Sequence, residues 1–150
     1  MLKGIDPLLN AELLHALRAM GHGDDLIIAD ANFPAQSIAR QTVLGRLLRI
    51  DGASAAEAAA AVLSLMPLDS FIDDAAARME VVGAPEEIPA VQSEVQAVID
   101  AAEGKPWPLA SLERHAFYAR AKSAYCVIQT GERRFYGCFA LTKGVIPPEP

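Results

Sequence analysis

Ala124-Tyr125-Cys126-Val127-Ile128-Gln129, Thr130-Gly131-Glu132-Arg133-Arg134 and Phe135-Tyr136-Gly137-Cys138-Phe139-Ala140-Leu141 follow one another without a break, and they decide how the rest of the chain is read. Two apolar runs of strand length enclose a short polar segment with a glycine in it, the pattern of a β-hairpin. Upstream the periodicity changes to that of helices. One is expected from about Ser111 to Lys122, and another over Pro89–Ala102, where Val91, Val95, Val98 and Ile99 share a face. Lys105–Pro108, with Trp107 between two prolines, reads as a loop. Further back, Ser54 followed by Glu57 has capping-box spacing and opens an alanine-rich helix that Pro67 stops. Phe71–Ile72 and Met79–Val82 read as short strands. Nearer the start, Asn10 caps a helix over Ala11–Met20 with Leu13, Leu14, Leu17 and Met20 on one side, and Gly21 ends it. Leu26–Ala29 is an apolar run of strand length. Helices interleaved with strands give an α/β or α+β class in one domain spanning residues 1–150.

Composition narrows the function classes. At 150 residues the chain is long enough to bury a sizeable core, and 52% hydrophobic against 21% charged residues is the balance of a packed protein rather than a disordered one. Nineteen acidic against thirteen basic side chains give a net charge of −6, and no Lys/Arg cluster interrupts it. Neither nucleic acid nor an anionic membrane surface is expected as a partner. The longest apolar stretch, Ala58–Met66, is about half of what a membrane span needs. Met1–Asn10 carries Lys3, Asp6 and Pro7 and lacks a continuous apolar segment, so no secretory leader is read there. Cys126 and Cys138 lie in apolar runs and read as reduced core thiols. The expected location is the cytoplasm.

Chemistry is best sought at Gly21-His22-Gly23-Asp24-Asp25. A histidine between two glycines has little cover, and imidazole is the side chain whose unperturbed pKa lies near neutrality. Asp30 follows at the carboxyl end of a strand, where α/β folds place ligand sites, and leads into Ala31-Asn32-Phe33-Pro34. An imidazole and a carboxylate converging there would bind a polyol and move a proton; the plainer alternative makes His22 a solvated loop residue and Asp30 a turn cap. His22, Asp24, Asp25 and Asp30 are poor in the nitrogen and sulfur that transition metals prefer, so no metal is expected. Neither cysteine has an adjacent base that would make it a nucleophile. His15 and His115 read as surface or packing residues, and Asp73-Asp74 as a solvated turn. Arg114 near the start of the third helix reads as a surface charge or a ligand contact. Tyr136, alternating with Phe135, reads as core or as a hydroxyl offered to a ligand, with Gly137 beside it leaving room for close approach.

Met20-Gly21-His22-Gly23-Asp24 and Asp30-Ala31-Asn32-Phe33-Pro34 together resemble the signature of the fucose-mutarotase and ribose-pyranase family. So do Leu2-Lys3-Gly4, Pro7-Leu8-Leu9, Pro67-Leu68-Asp69-Ser70, Arg114-His115-Ala116-Phe117-Tyr118-Ala119-Arg120-Ala121, Thr130-Gly131-Glu132-Arg133, Tyr136-Gly137 and Lys143-Gly144-Val145, in that order along nearly the whole chain. The resemblance implies an α/β fold with helices on a central sheet, interconversion of sugar anomers without metal or organic cofactor, and a ring-shaped homodecamer with sites between subunits. It implies that His22 is the proton donor and that Asp30, Arg114 and Tyr136, Gly137 and Cys138 contact a monosaccharide. On chemical grounds Tyr136 is the first candidate to assist a proton, and Tyr118 is a weaker, accessory one. The family's Tyr-x-Asn pattern is broken at Cys138, a weaker donor and acceptor than an amide. Arg114, where ribose-type members carry histidine, favours L-fucose. D-ribose pyranase and a non-catalytic sugar-binding accessory protein are the alternatives.

Overall fold

The computed structural model describes residues 1–150. The side chains of Asn10 and Ser54 cap the first two long helices, α1 (Ala11–Ala19) and, after a short intervening helix, α3 (Ala55–Leu63), where Glu57 completes the capping box. Between them lie β1 (Asp25–Ala29), α2 (Ala35–Ala39) and β2 (Leu48–Ile50). The chain continues through β3 (Ala76–Met79), α4 (Ala90–Glu103), β4 (Ala110–Leu112), α5 (Arg114–Lys122), β5 (Cys126–Thr130) and β6 (Phe139–Thr142). No helix is long and apolar enough to cross a membrane.

The strands form one sheet in the order β2-β5-β1-β6-β3-β4. β1, β2 and β5 are mutually parallel, β3 and β4 are parallel to each other, and β6 runs antiparallel between β1 and β3. The expected hairpin is therefore absent. β1 lies between β5 and β6, and the segment joining them crosses the end of the sheet instead of turning back on itself. β6 spends its two edges on β1 and β3, and its pairing begins only at Phe139, past Tyr136 at φ 64°. The apolar pattern specified two strands but not their neighbours.

Both faces are covered, as a largely parallel sheet requires. Alternate residues of β1 divide between them: Leu26 and Ile28 join the larger core with α1, α3 and α4, while Ile27 and Ala29 face α2 and α5. Other expectations shift by small amounts. Ala110–Leu112 pairs with β3, so the third helix starts at Arg114, with the Glu113 carboxylate accepting from the His115 and Ala116 amides. The strand expected at Met79–Val82 is Ala76–Met79. Phe71–Ile72 is a turn, and Phe71 is 73% exposed.

Candidate functional site

Parallel strands carry their carboxyl ends to one edge of a sheet, and here that edge gathers most of the residues singled out by the sequence. A cleft of about 210 Å³ is lined by Asp30, Arg114, Tyr118, Tyr136 and Cys138, with Phe33, Met79 and Phe135 supplying apolar wall and Asn32 the rim. That is below the roughly 300–1,000 Å³ of drug-sized sites, in the range of a small ligand. The largest cleft, about 480 Å³, is walled mainly by Leu2, Leu14, Leu17, Leu65 and Ile146 with Arg18 and Lys143 at it, and shares no residue with this one.

Asp30 is 4% exposed. Its Oδ1 accepts from the Asn32 and Phe33 amides at 3.0 and 2.9 Å, and its Oδ2 accepts from the Gly137 amide at 3.2 Å and the Cys138 thiol at 3.4 Å. A carboxylate has about four lone-pair directions, so the weak thiol bond is the one a ligand hydroxyl would replace. Burial, and then the Asp30 charge, push the Cys138 thiol well up; burial and the Asp24 charge push Cys126 up to about 12. Both stay protonated near neutrality, which removes them as nucleophiles.

Arg114, at the first position of α5, donates from Nε to the Tyr118 hydroxyl at 3.1 Å, with its guanidinium carbon 5.3 Å from the centre of the Tyr118 ring. Tyr118 in turn meets Phe33 edge-on, centroids 5.4 Å apart. Tyr136 is the one residue other than glycine at positive φ, a conformation that costs roughly 1 kcal/mol. Its hydroxyl accepts from the Val82 amide and its carbonyl from the buried Gln92 side chain. The space beside Gly137 is not open to a ligand. A Cβ there would stand 2.8 Å from Cγ of Glu132 and 3.3 Å from Cβ of Asp30. Glu132, buried, ties the loop down: its carboxylate accepts from the Arg134 guanidinium, the main cause of a pKa lowered to about 2 against the effect of burial, and from the Arg134 and Ala55 amides.

His22 is not in this cleft. It precedes β1, whereas Asp30 follows it, and the two are separated by the strand's length, roughly 16 Å at 3.3 Å per residue. The expected convergence within one chain fails because β1 runs straight between them. The two flanking glycines leave the His22 side chain 47% accessible, as expected. Its Nε2 lies 3.1 Å from Oδ2 of buried Asp69, and the ring of Phe71 is 5.7 Å away. Asp69 is a residue that the spacing of the sequence did not couple to His22. The only signal was its place in Pro67-Leu68-Asp69-Ser70. No three His, Cys, Asp or Glu side chains cluster as metal ligands would.

With this geometry in hand, the comparisons with known proteins are specific. The model of the RbsD / FucU transport protein family matches residues 3–146. The fucose mutarotase of Homo sapiens is 42% identical over 152 residues, covering 99% of this chain and 97% of its own. The crystal structure of protein Atu2016 is 63% identical with a TM-score of 0.96, covering 98% of this chain and 97% of that one. The fucose mutarotase from Streptococcus pneumoniae, crystallised in complex with L-fucose, is 36% identical with a TM-score of 0.87, covering 97% and 100%.

Proposed function

The chain belongs to the RbsD / FucU transport protein family, and from that premise we propose that it is a mutarotase, an isomerase that interconverts the α and β anomers of L-fucose. The observation that carries this is a half-exposed imidazole backed by a buried carboxylate, in a chain that fucose mutarotases match from end to end. Opening the sugar ring needs a proton delivered to the ring oxygen while one leaves the anomeric hydroxyl. Rotation about one bond and closure reverse the transfer. A protonated imidazole gives the ring oxygen its proton while the anomeric proton passes to solvent, closure returns both, and no redox change or leaving group is involved. His22 fills that role, oriented by Asp69.

The cleft at the other end of β1 holds the sugar. Arg114 offers donors fixed in a plane, which suit two sugar oxygens at once. Oδ2 of Asp30 takes a hydroxyl in place of the Cys138 thiol, and the Tyr118 and Tyr136 hydroxyls retain a proton to donate. L-fucose differs from ribose in carrying a methyl group, and the apolar wall of Phe33, Met79 and Phe135 suits it. His22 and this cleft must then meet across a subunit contact. Each half carries an exposed phenyl ring in support of that, Phe71 beside His22 and Phe135 at the cleft, both 73% exposed. Residues 1–150 act as one domain in a ring of ten, in the cytoplasm.

Anomer exchange followed by NMR saturation transfer tests the reading. Wild type is expected to exchange L-fucose faster than D-ribose. His22→Ala is expected to lose about 10²–10⁴ in rate, the range of general acid–base catalysis, with the fold kept. Wild-type exchange by a folded His22→Ala chain refutes the mechanism, and a sugar-binding protein with no rate effect refutes the enzyme.

A further inference from the structure

We infer that Lys143 is a positioning residue for His22, an inference that rests on the proton-transfer reading above. α1 ends at Ala19, and the last carbonyls of a helix have no partner within it. The Lys143 ammonium takes two of them, donating to the carbonyls of Leu17 at 2.7 Å and Met20 at 2.6 Å. A lysine capping a helix carboxyl end is common and favourable. Here the same residue also grips the chain beyond His22: the Gly23 amide donates to the Lys143 carbonyl, and the Lys143 amide donates to the carbonyl of Asp24, both at 2.9 Å. His22 is thus the apex of a loop fastened before and after by one side chain and its own backbone.

The residues on either side of Lys143 do the same for the carboxylate. The Asp69 amide donates to the Thr142 carbonyl at 3.0 Å, and the Gly144 amide donates to the Pro67 carbonyl at 2.8 Å. The two segments lie so close that a Cβ at Gly144 would overlap the carbonyl oxygen of Leu68. Three consecutive residues therefore bring together an imidazole and a carboxylate 47 positions apart in sequence, and the 3.1 Å contact between them follows. None of the three lines the cleft of Asp30 and Arg114. Loosening Lys143 displaces the proton-transferring group without touching the residues that hold the sugar.

The test is exchange rate against L-fucose concentration for Lys143→Met, which keeps an apolar stem and removes the ammonium, with Lys143→Arg and His22→Ala measured alongside. Misplacing a catalytic group by about 1 Å costs up to 10²-fold. Lys143→Met is expected to lose about tenfold in kcat with KM within twofold of wild type, and Lys143→Arg, which restores a cation of similar reach, to recover most of it. Lys143→Gln, which keeps a shorter donor, replaces Lys143→Met if circular dichroism shows that the latter is unfolded, with the same split expected. Wild-type kcat in a folded Met or Gln variant, a loss confined to KM, or no recovery by arginine overturns the inference. Full exchange by His22→Ala instead overturns the proton-transfer reading beneath it.

Discussion

At the amino end of β1, His22 stands 47% exposed with one side-chain partner, Asp69, and an open phenyl ring beside it. At the carboxyl end, Asp30 is 4% exposed and accepts four hydrogen bonds from the chain itself. The first arrangement leaves a titratable ring free to reach a foreign molecule. The second fixes backbone around a carboxylate and leaves one weak bond to give up. The contrast separates two tasks that sequence proximity would merge. On the function proposed above, moving a proton asks for access and holding a sugar asks for rigidity, and the strand between the two groups keeps them apart within one chain.

The largest effect comes from testing that separation directly. Chains carrying His22→Ala and chains carrying Arg114→Ala with Tyr118→Phe are each expected to exchange L-fucose poorly as pure assemblies. If each site draws on two subunits of a ring, as proposed above, co-expressed chains should form mixed rings in which about a quarter of the sites pair an intact imidazole with an intact cleft, the two subunits being chosen at random. Exchange NMR on the mixed assembly should recover that fraction. No recovery in a demonstrably mixed ring breaks the comparison, because both halves of the site would then come from one chain.

A smaller effect probes the rigid end. Hydrogen bonds from Arg134, foremost, and from the Arg134 and Ala55 amides lower the Glu132 carboxyl from the usual 4.5 to about 2 against the opposing effect of burial. A carboxyl with a depressed folded pKa contributes stability above about pH 4.5, and that contribution is lost as pH falls through about 2. Allowing for screening of the half-exposed Arg134, Glu132→Gln should cost about 2 kcal/mol near neutrality, a difference that shrinks toward pH 2. Urea unfolding of both proteins at several pH values measures it, and a difference constant with pH would mean that the ion pair is not its source. The same variant should loosen the loop that carries Tyr136 and leave the His22–Asp69 contact unchanged.

The smallest effect falls at Cys138. An amide there would donate to Asp30 more strongly than the thiol and offer the cleft a second polar group. Cys138→Asn should leave kcat/KM for L-fucose equal or higher by at most about tenfold, the worth of one hydrogen bond. A larger loss, read from exchange rates over a concentration series, would mean that the cleft is shaped to the smaller side chain and to a different sugar.

Local signals in the sequence carried far. Asn10, Ser54 and Glu57 act at the helix ends where their spacing put them, because capping is settled within four residues. Exposure of His22 followed from two flanking glycines. What was not legible depends on distant partners. Phe71 looks like a strand residue because a phenyl ring suits a pleated surface, yet it lies open in a turn beside His22. α2 has five residues and no side-chain cap, so nothing announces it. The runs around residues 126–130 and 139–142 are strands, but β1 comes between them, and no periodicity encodes an inserted neighbour from a hundred positions away. Asp69 was visible only as part of a motif, since what makes it a partner of His22 is the Thr142–Gly144 segment that joins them.

The position of β1 in the sheet has a consequence for the order in which the protein can be made. Leu26 faces Cys126 on one side and Leu141 on the other, so the central strand, early in the chain, takes both neighbours from its last third. During synthesis, at about 5–20 residues per second, Leu26, Ile27 and Ile28 wait with both edges unpaired until residue 130 has left the ribosome, and with one edge unpaired until residue 142 has followed. Helices α1, α3 and α4 can form and gather in that interval from local contacts, but the sheet they cover cannot close. Any truncation short of β6 leaves the middle of the molecule open on one side, a ready template for pairing with another nascent copy.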